Sequence, residues 1–386
     1  MTAFSPALLS RFQTLKTPFY YYDLDLLRAT LKACKTEADH YGFHVHYALK
    51  ANFNPRVLKL IQQSGFGADC VSGGEVKKAV EVGFKPDQVV FAGVGKSDDE
   101  ITDALKLDIF CFNVESVQEL QIINELAAKL NKKARIALRI NPNVDAKTHH
   151  HITTGLEENK FGINPWELPA CFDALKQSPQ LELIGIHFHV GSQITDLKVF
   201  QELCGRINAI AEDIETRGFN LKILNVGGGL GVDYRQPDDN PITDFAGYFR
   251  IFAENLKRRP DQQVYFELGR SLVAQSGTLI SRVLYIKNGL KKNFAILDAG
   301  MTELMRPALY QAYHKIQNLS AKPSAGISYD VVGPICESTD VFAKDVALPE
   351  TKRGDLIAIR TAGAYGEVMA SSYNLRDPVP SVFNQD

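Results

Sequence analysis

A small set of residues in this chain could do chemistry, and most of them stand where an apolar run stops. Lys50 follows the run His44-Val-His-Tyr-Ala-Leu49, which reads as a short buried strand. A lysine there either snorkels into water or sits desolvated with a lowered pKa, in which case its amine can form a Schiff base. His187 and His189 end another apolar run as His-Phe-His-Val-Gly-Ser192. Asn225-Val226 lead into Gly227-Gly228-Gly229, where backbone N–H groups can approach a phosphate closely. Glu267-Leu268-Gly269-Arg270 puts a carboxylate and a guanidinium at one strand end, an anion for a cationic ring nitrogen and a fork for a carboxylate or phosphate.

Rival readings of these residues are limited. The glycine run is not a dinucleotide fingerprint, because Val232 and Tyr234 break both frames of G-x-G-x-x-G. His187 and His189 could ligate a metal, but a nearby lysine would repel a cation, and a flat imidazole against a cofactor ring suits the pattern better. No metal is expected. The tract His149-His150-His151 sits in a polar connection and reads as a solvated loop.

The elements that must position these residues alternate. Short apolar strands are expected at 44–50, 68–73, 88–93, 109–114, 135–142, 182–190, 221–226 and 264–268, with helical periodicity between them at 54–64, 74–83, 115–130, 197–217 and 244–258. Eight strand–helix units match a closed (β/α)₈ TIM-type barrel, in which chemistry collects at the C-terminal strand ends. Lys50, Asp69, Asn113, Arg139, Asn141, His187, His189, Asn225 and Glu267 all fall there.

Past Gly269 the texture changes. Segments 272–287, 293–299, 328–335 and 355–361 read as strands, with one helix-like stretch near 307–317. The expected organisation is a barrel domain over 24–270 and a second, mainly β domain, a sandwich or Greek-key barrel. This second domain is built from 1–23, whose Thr-Pro-Phe-Tyr-Tyr-Tyr reads as a strand, and from 271–386.

Composition narrows the class further. The 386 residues are 45% hydrophobic and 23% charged, with a formal net charge of −2, which offers no electrostatic case for nucleic acid or an anionic membrane. Cysteines 34, 70, 111, 171, 204 and 336 include no C-x-x-C pair. There is neither a signal-like apolar core at the N-terminus nor a run long enough to span a bilayer, and a cytoplasmic location is expected.

Taken together and in order, these pieces resemble the fold-type III pyridoxal-phosphate decarboxylases. The likeness runs from Tyr47-Ala-Leu-Lys-Ala-Asn52 through His187-Phe-His-Val-Gly-Ser-Gln193 and the three glycines to Gly363-Ala-Tyr-Gly366. Thr154-Gly155, Lys160-Phe161-Gly162, Met305-Arg306-Pro307-Ala308-Leu309-Tyr310 and Cys336-Glu337-Ser338 resemble the branch that acts on diaminopimelate. Leu268 stands where that branch usually has proline, and Thr339 where it usually has glycine.

The resemblance implies pyridoxal 5'-phosphate as cofactor, with Lys50 holding it and His189 stacking on its ring. It implies that Ser192 and Gly227 to Gly229 hold the phosphate, that Glu267, beside Gly269, pairs with the ring nitrogen, and that Tyr365 touches cofactor and substrate. Arg270, Arg306 and Tyr310 would grip the substrate's distal carboxylate, Glu337 its distal ammonium, and Cys336 would donate the proton. The implied reaction turns meso-2,6-diaminopimelate, attacked at its D-centre, into L-lysine and CO₂, the last step of lysine biosynthesis. Cys336 and Glu337 would come from the partner subunit of a homodimer with shared sites. The alternatives are a related decarboxylase acting on ornithine, arginine or carboxynorspermidine, and a cofactor-binding homologue without catalysis.

Overall fold

The structure, a computed structural model, describes residues 4–144, 160–322 and 324–385. The His149–His151 tract and Thr154-Gly155 therefore lie outside the described residues. The chain forms two compact units: Leu31–Gly231 with Asp244–Gly269, and Met1–Thr30 with Val232–Thr243 and Arg270–Asp386.

The first unit is a closed parallel barrel. Following β1 (Phe19–Tyr22), its strands are β2 (His44–Ala48), β3 (Gly67–Cys70), β4 (Val89–Phe91), β5 (Cys111–Val114), β6 (Ala134–Arg139), β7 (Leu181–His187), β8 (Ile223–Asn225) and β9 (Gln263–Leu268). They pair in sequence order, and β9 closes on β2 with His46 opposite Glu267. Both faces of such a sheet are covered, which is why these strands read as continuous apolar runs. One interior layer is Val90, Cys111, Ala137, Ile184, Ile223 and Tyr265, all buried.

Local signals start and stop the intervening helices. Ser72 caps Gly73–Val82, and Gly83 ends it at φ 108°. Ser97 and Glu100 form a reciprocal capping box on Asp98–Leu107. Asn54 caps Pro55–Gln63, whose proline occupies the first turn, where an N–H has no helical partner anyway.

The second unit is built on an eight-stranded sheet. Its strands are β10 (Gly277–Asn288), β11 (Asn293–Leu297), β12 (Ile316–Asn318), β13 (Ile327–Val332), β14 (Val341–Leu348), β15 (Leu356–Ile359) and β16 (Ser381–Phe383), in the order β12-β15-β10-β11-β13-β14, with β1 joining β10 and β16. The expected first strand is there: Phe19 to Tyr22 run antiparallel to Ile280–Gly277. Phe4, Phe12, Phe19 and Tyr21 pack with Ile280, Leu356 and Ala358 in its core.

Three local expectations change. A helix, Pro6–Thr14, precedes β1; Ser5 caps it and Pro6 opens it. The helix expected near 307–317 is only Arg306–Tyr310, because Gln311 takes φ 53° and the chain then extends into β12. The strand expected from 272 begins at Gly277, after a helical turn over Arg270–Val273.

Candidate active site

Two groups of buried polar side chains stand out, one in each compact unit. In the barrel the group is built on a buried carboxylate. Glu267, near the end of β9, accepts from His187 Nε2 at 2.9 Å, Asn225 Nδ2 at 2.8 Å and Asn113 Nδ2 at 3.1 Å. Burial alone would raise its pKa, but the bond to His187 and the charge of Lys50 outweigh this and hold the carboxyl well below the usual range. Glu267 is thus a fixed anion with its oxygens already bonded.

Lys50 lies just past β2, in the single 3₁₀ turn Leu49–Ala51, rather than in the strand itself. Its side chain is 36% exposed, so the fully dry pocket is not what surrounds it; instead Nζ lies 3.4 Å from Oδ2 of fully buried Asp69. Burial and the nearby Glu267 push Asp69 up to about 6, against the opposing pull of Lys50. Its other oxygen, Oδ1, is buried with no hydrogen-bond partner among the described residues. Gly269 permits this turn to approach β9, because a Cβ there would meet that of Ala51 at 3.0 Å.

The loops after β7 and β8 are zipped together. Ile194 N–H donates to Gly229 O and Gly231 N–H to Ile194 O, both at 2.9 Å, which brings Ser192 to the glycine run. No side chain fits at the first two glycines: a Cβ on Gly227 would lie 2.1 Å from Phe188 O, and one on Gly228 would lie 1.9 Å from Glu267 O. Gly228 N–H donates to His189 Nδ1 at 3.4 Å, leaving that nitrogen unprotonated. His189 itself has its pKa driven down by burial and then by Lys50 and Arg139.

A rack of buried ion pairs braces β5, which carries Asn113. Lys96 Nζ donates to Gly93 O at 2.8 Å, Asn113 O at 2.9 Å and Glu119 Oε1 at 2.5 Å. Glu115 takes Arg139 Nη1 at 2.6 Å together with the N–H groups of Gly93 and Gly162. Arg139, read from the sequence as a strand-end residue, therefore serves this brace.

In the second unit the group is cationic. Arg270 and Arg306 are both buried. Arg270 Nη1 donates to Tyr234 Oη at 2.6 Å, and its guanidinium lies 4.9 Å from the Tyr365 ring. Tyr365 adopts φ 55°, a left-handed conformation that costs a non-glycine residue energy and so marks a constrained position. Arg306 faces the Tyr234 ring at 4.8 Å and donates to His314 Nε2 at 2.8 Å. Tyr310 ends the same short helix that Arg306 begins.

Cys336 and Glu337 are exposed, on the loop between β13 and β14. Asn374 Oδ1 accepts from Cys336 N–H, and Tyr373 Oη donates to Glu337 Oε1, each at 3.0 Å. Of the two departures from the family pattern, Leu268 is buried in β9, and Thr339 Oγ1 makes a weak contact with Met301 Sδ at 3.9 Å while its carbonyl oxygen accepts from Val341 N–H at 2.8 Å.

Sequence reasoning missed Tyr234 and His314. Neither lies at a strand end or in a recognisable motif, and His314 follows Gln-Ala-Tyr in a polar stretch.

The barrel group suits a pyridoxal cofactor on the structure's own terms. It offers a primary amine at a strand end, an anion fixed at the barrel mouth, a neutral imidazole, and a glycine run whose first two residues leave no room for a side chain. The comparisons agree. Residues 24–274 match the pyridoxal-binding domain of the pyridoxal-dependent decarboxylases. A diaminopimelate decarboxylase of Bacteroides thetaiotaomicron is 55% identical over 98% of both chains, and that of Aquifex aeolicus is 42% identical over 94% of this chain and 86% of its own. The crystal structure of the Helicobacter pylori diaminopimelate decarboxylase complexed with L-lysine superposes with a TM-score of 0.91 at 45% identity, covering 97% of this chain and 93% of that one. The chain belongs to the diaminopimelate decarboxylase family of pyridoxal-dependent decarboxylases.

Proposed function

We propose that this chain decarboxylates meso-2,6-diaminopimelate at its D-centre, releasing CO₂ and L-lysine, with pyridoxal 5'-phosphate as its cofactor. The observation that carries the substrate class is Arg306. It is a buried guanidinium whose partners are a tyrosine and a histidine, and no carboxylate among the described residues pairs with it. A buried charge needs a counterion. A substrate with a second carboxylate supplies one.

When bound, the cofactor supplies an electron sink for the bond to the departing carboxylate. Lys50 would hold it, and Nζ, beside Asp69, is placed to carry a proton. Glu267 keeps a negative charge for the ring nitrogen, and His187, Asn113 and Asn225 hold that carboxylate in one orientation. His189, Ser192 and Gly227 to Gly229 hold the ring and phosphate. Arg270, Arg306 and Tyr310 hold the distal carboxylate of the substrate, with Tyr365 against it. Glu337 takes the distal ammonium, and Cys336 Sγ delivers a proton to the carbon that lost CO₂. Two copies of the chain share their sites, each lending Cys336 and Glu337 to the other.

Reading one end of diaminopimelate by charge also separates it from simpler amines. Each buried polar group left unpaired by the wrong ligand costs about 1–3 kcal/mol. Ornithine and arginine carry no second carboxylate for the arginines. The test is CO₂ release from meso-diaminopimelate, ornithine, arginine and carboxynorspermidine, one at a time. Release from diaminopimelate should dominate, and faster release from any of the other three would overturn the assignment.

A further inference from the structure

We propose that Tyr234 and His314 are positioning residues for the substrate's distal carboxylate: they orient Arg270 and Arg306 without neutralising them, and so set the preference for an amino-acid terminus over a plain amine. This rests on the reading that the two arginines grip that carboxylate.

The hydrogen bonds define the state of His314. Its Nδ1 lies 2.9 Å from the carbonyl oxygen of Arg360, which only accepts, so Nδ1 carries the hydrogen. Its Nε2 lies 2.8 Å from Arg306 Nη1, which only donates, so Nε2 presents a lone pair. The imidazole is therefore neutral and in one tautomer. It can aim the guanidinium but cannot cancel its charge, as an aspartate or glutamate at 314 would.

Tyr234 does the same for both arginines. Its hydroxyl accepts from Arg270 Nη1, while its ring lies 4.8 Å from the Arg306 guanidinium and 5.9 Å from that of Arg270. The ring also meets His314 edge-on at 5.1 Å. Aromatic faces attract cations without a formal negative charge, so the Tyr234 ring holds the Arg306 guanidinium without cancelling its charge.

The nearby acid is engaged elsewhere. Asp238, on the same Val232–Thr243 segment as Tyr234, pairs with Arg360 at 2.9 Å and Lys315 at 2.8 Å. These pairs tie the segment to the residue that follows His314 and to the one whose carbonyl accepts from it. They also direct the carboxylate to those two cations, and none pairs with Arg306 among the described residues.

The experiment compares L-lysine with 1,5-diaminopentane as ligands of the cofactor-loaded protein, since they differ by a single carboxylate. Tyr234→Phe removes one oxygen, His314→Leu removes the acceptor, and His314→Gln restores an acceptor. Tyr234→Phe and His314→Leu should each weaken L-lysine by about tenfold, the loss of one charged hydrogen bond, and leave 1,5-diaminopentane within about twofold. The effect on diaminopimelate should fall in KM rather than kcat, and His314→Gln should recover most of it. Equal weakening of both ligands, or of neither, would overturn the inference. If His314→Leu does not fold, Tyr234→Phe alone decides. Arg306→Ala separates the layers: if it leaves the preference for L-lysine intact, the clamp reading fails. If it abolishes the preference while the Tyr234 and His314 variants retain it, only this inference fails.

Discussion

The barrel group and the group of the β unit handle charge in opposite ways. Glu267 is an anion whose two oxygens accept from three side chains of its own unit. Arg306 is a cation oriented by a neutral imidazole and an aromatic face, with no carboxylate paired to it among the described residues. A group that must keep its charge through a reaction is best surrounded by its own partners. A group that must recognise a charge is best surrounded by neutral ones. The same protein uses both designs.

The largest effect should come from the barrel side. Lys50→Ala is expected to abolish activity, and borohydride treatment, which in the native protein fixes a pyridoxyl group to the peptide containing Lys50, should fix none in the variant. Adduct on a different lysine would move the cofactor away from this strand end. That loss also offers a way to ask whether two copies share their sites. Inactive Lys50→Ala and inactive Cys336→Ala chains, mixed under conditions that exchange subunits, should recover activity approaching about one quarter of the native value. Chains shown to have exchanged yet still inactive would place both residues in one subunit's site.

On the β-unit side the effect should be smaller and confined to substrate recognition. Arg306→Ala is expected to lower kcat/KM for diaminopimelate by at least about tenfold, with the cofactor's absorbance unchanged. An altered absorbance would mean that the two groups are not separable in the way their charges suggest.

The smallest effect is on stability, and each unit supplies one buried histidine to test it. Burial pushes His46 of the barrel down to about 4 and His314 of the β unit down to about 3, the latter assisted by Arg306. Both folded values are depressed, so below about 6.5 the unfolded chain takes up protons that the folded one refuses. Stability is then fully present above pH 6.5 and declines as the pH falls from there toward 4 and 3. The slope for each histidine approaches about 1.4 kcal/mol per pH unit. Denaturant titrations between pH 7 and 4.5 should show this decline, and His46→Asn or His314→Gln should each flatten it. A variant as steep as the native protein would mean that its histidine is charged in the folded state.

Much of this architecture was legible in the chain. Eight apolar runs spaced by amphipathic stretches led to a closed barrel, because strand and helix periodicity are local properties of neighbouring residues. Lys50 and Glu267 stood out because a charged residue at the end of an apolar run needs a reason. The β unit was harder: β12, β14 and β16 went unforeseen, since β12 and β16 are three-residue strands that pair with β15 and β1 far along the chain, and Lys344-Asp345 interrupts the apolar pattern of β14. What held the site residues in place was decided only in three dimensions. Asn113 reaches Glu267 across 154 positions, and Tyr234 meets Arg270 across 36 and His314 across 80. No periodicity links such residues. Packing of one element on another brings their polar atoms together, and the cost of burying a donor or acceptor unpaired then selects the bond that forms.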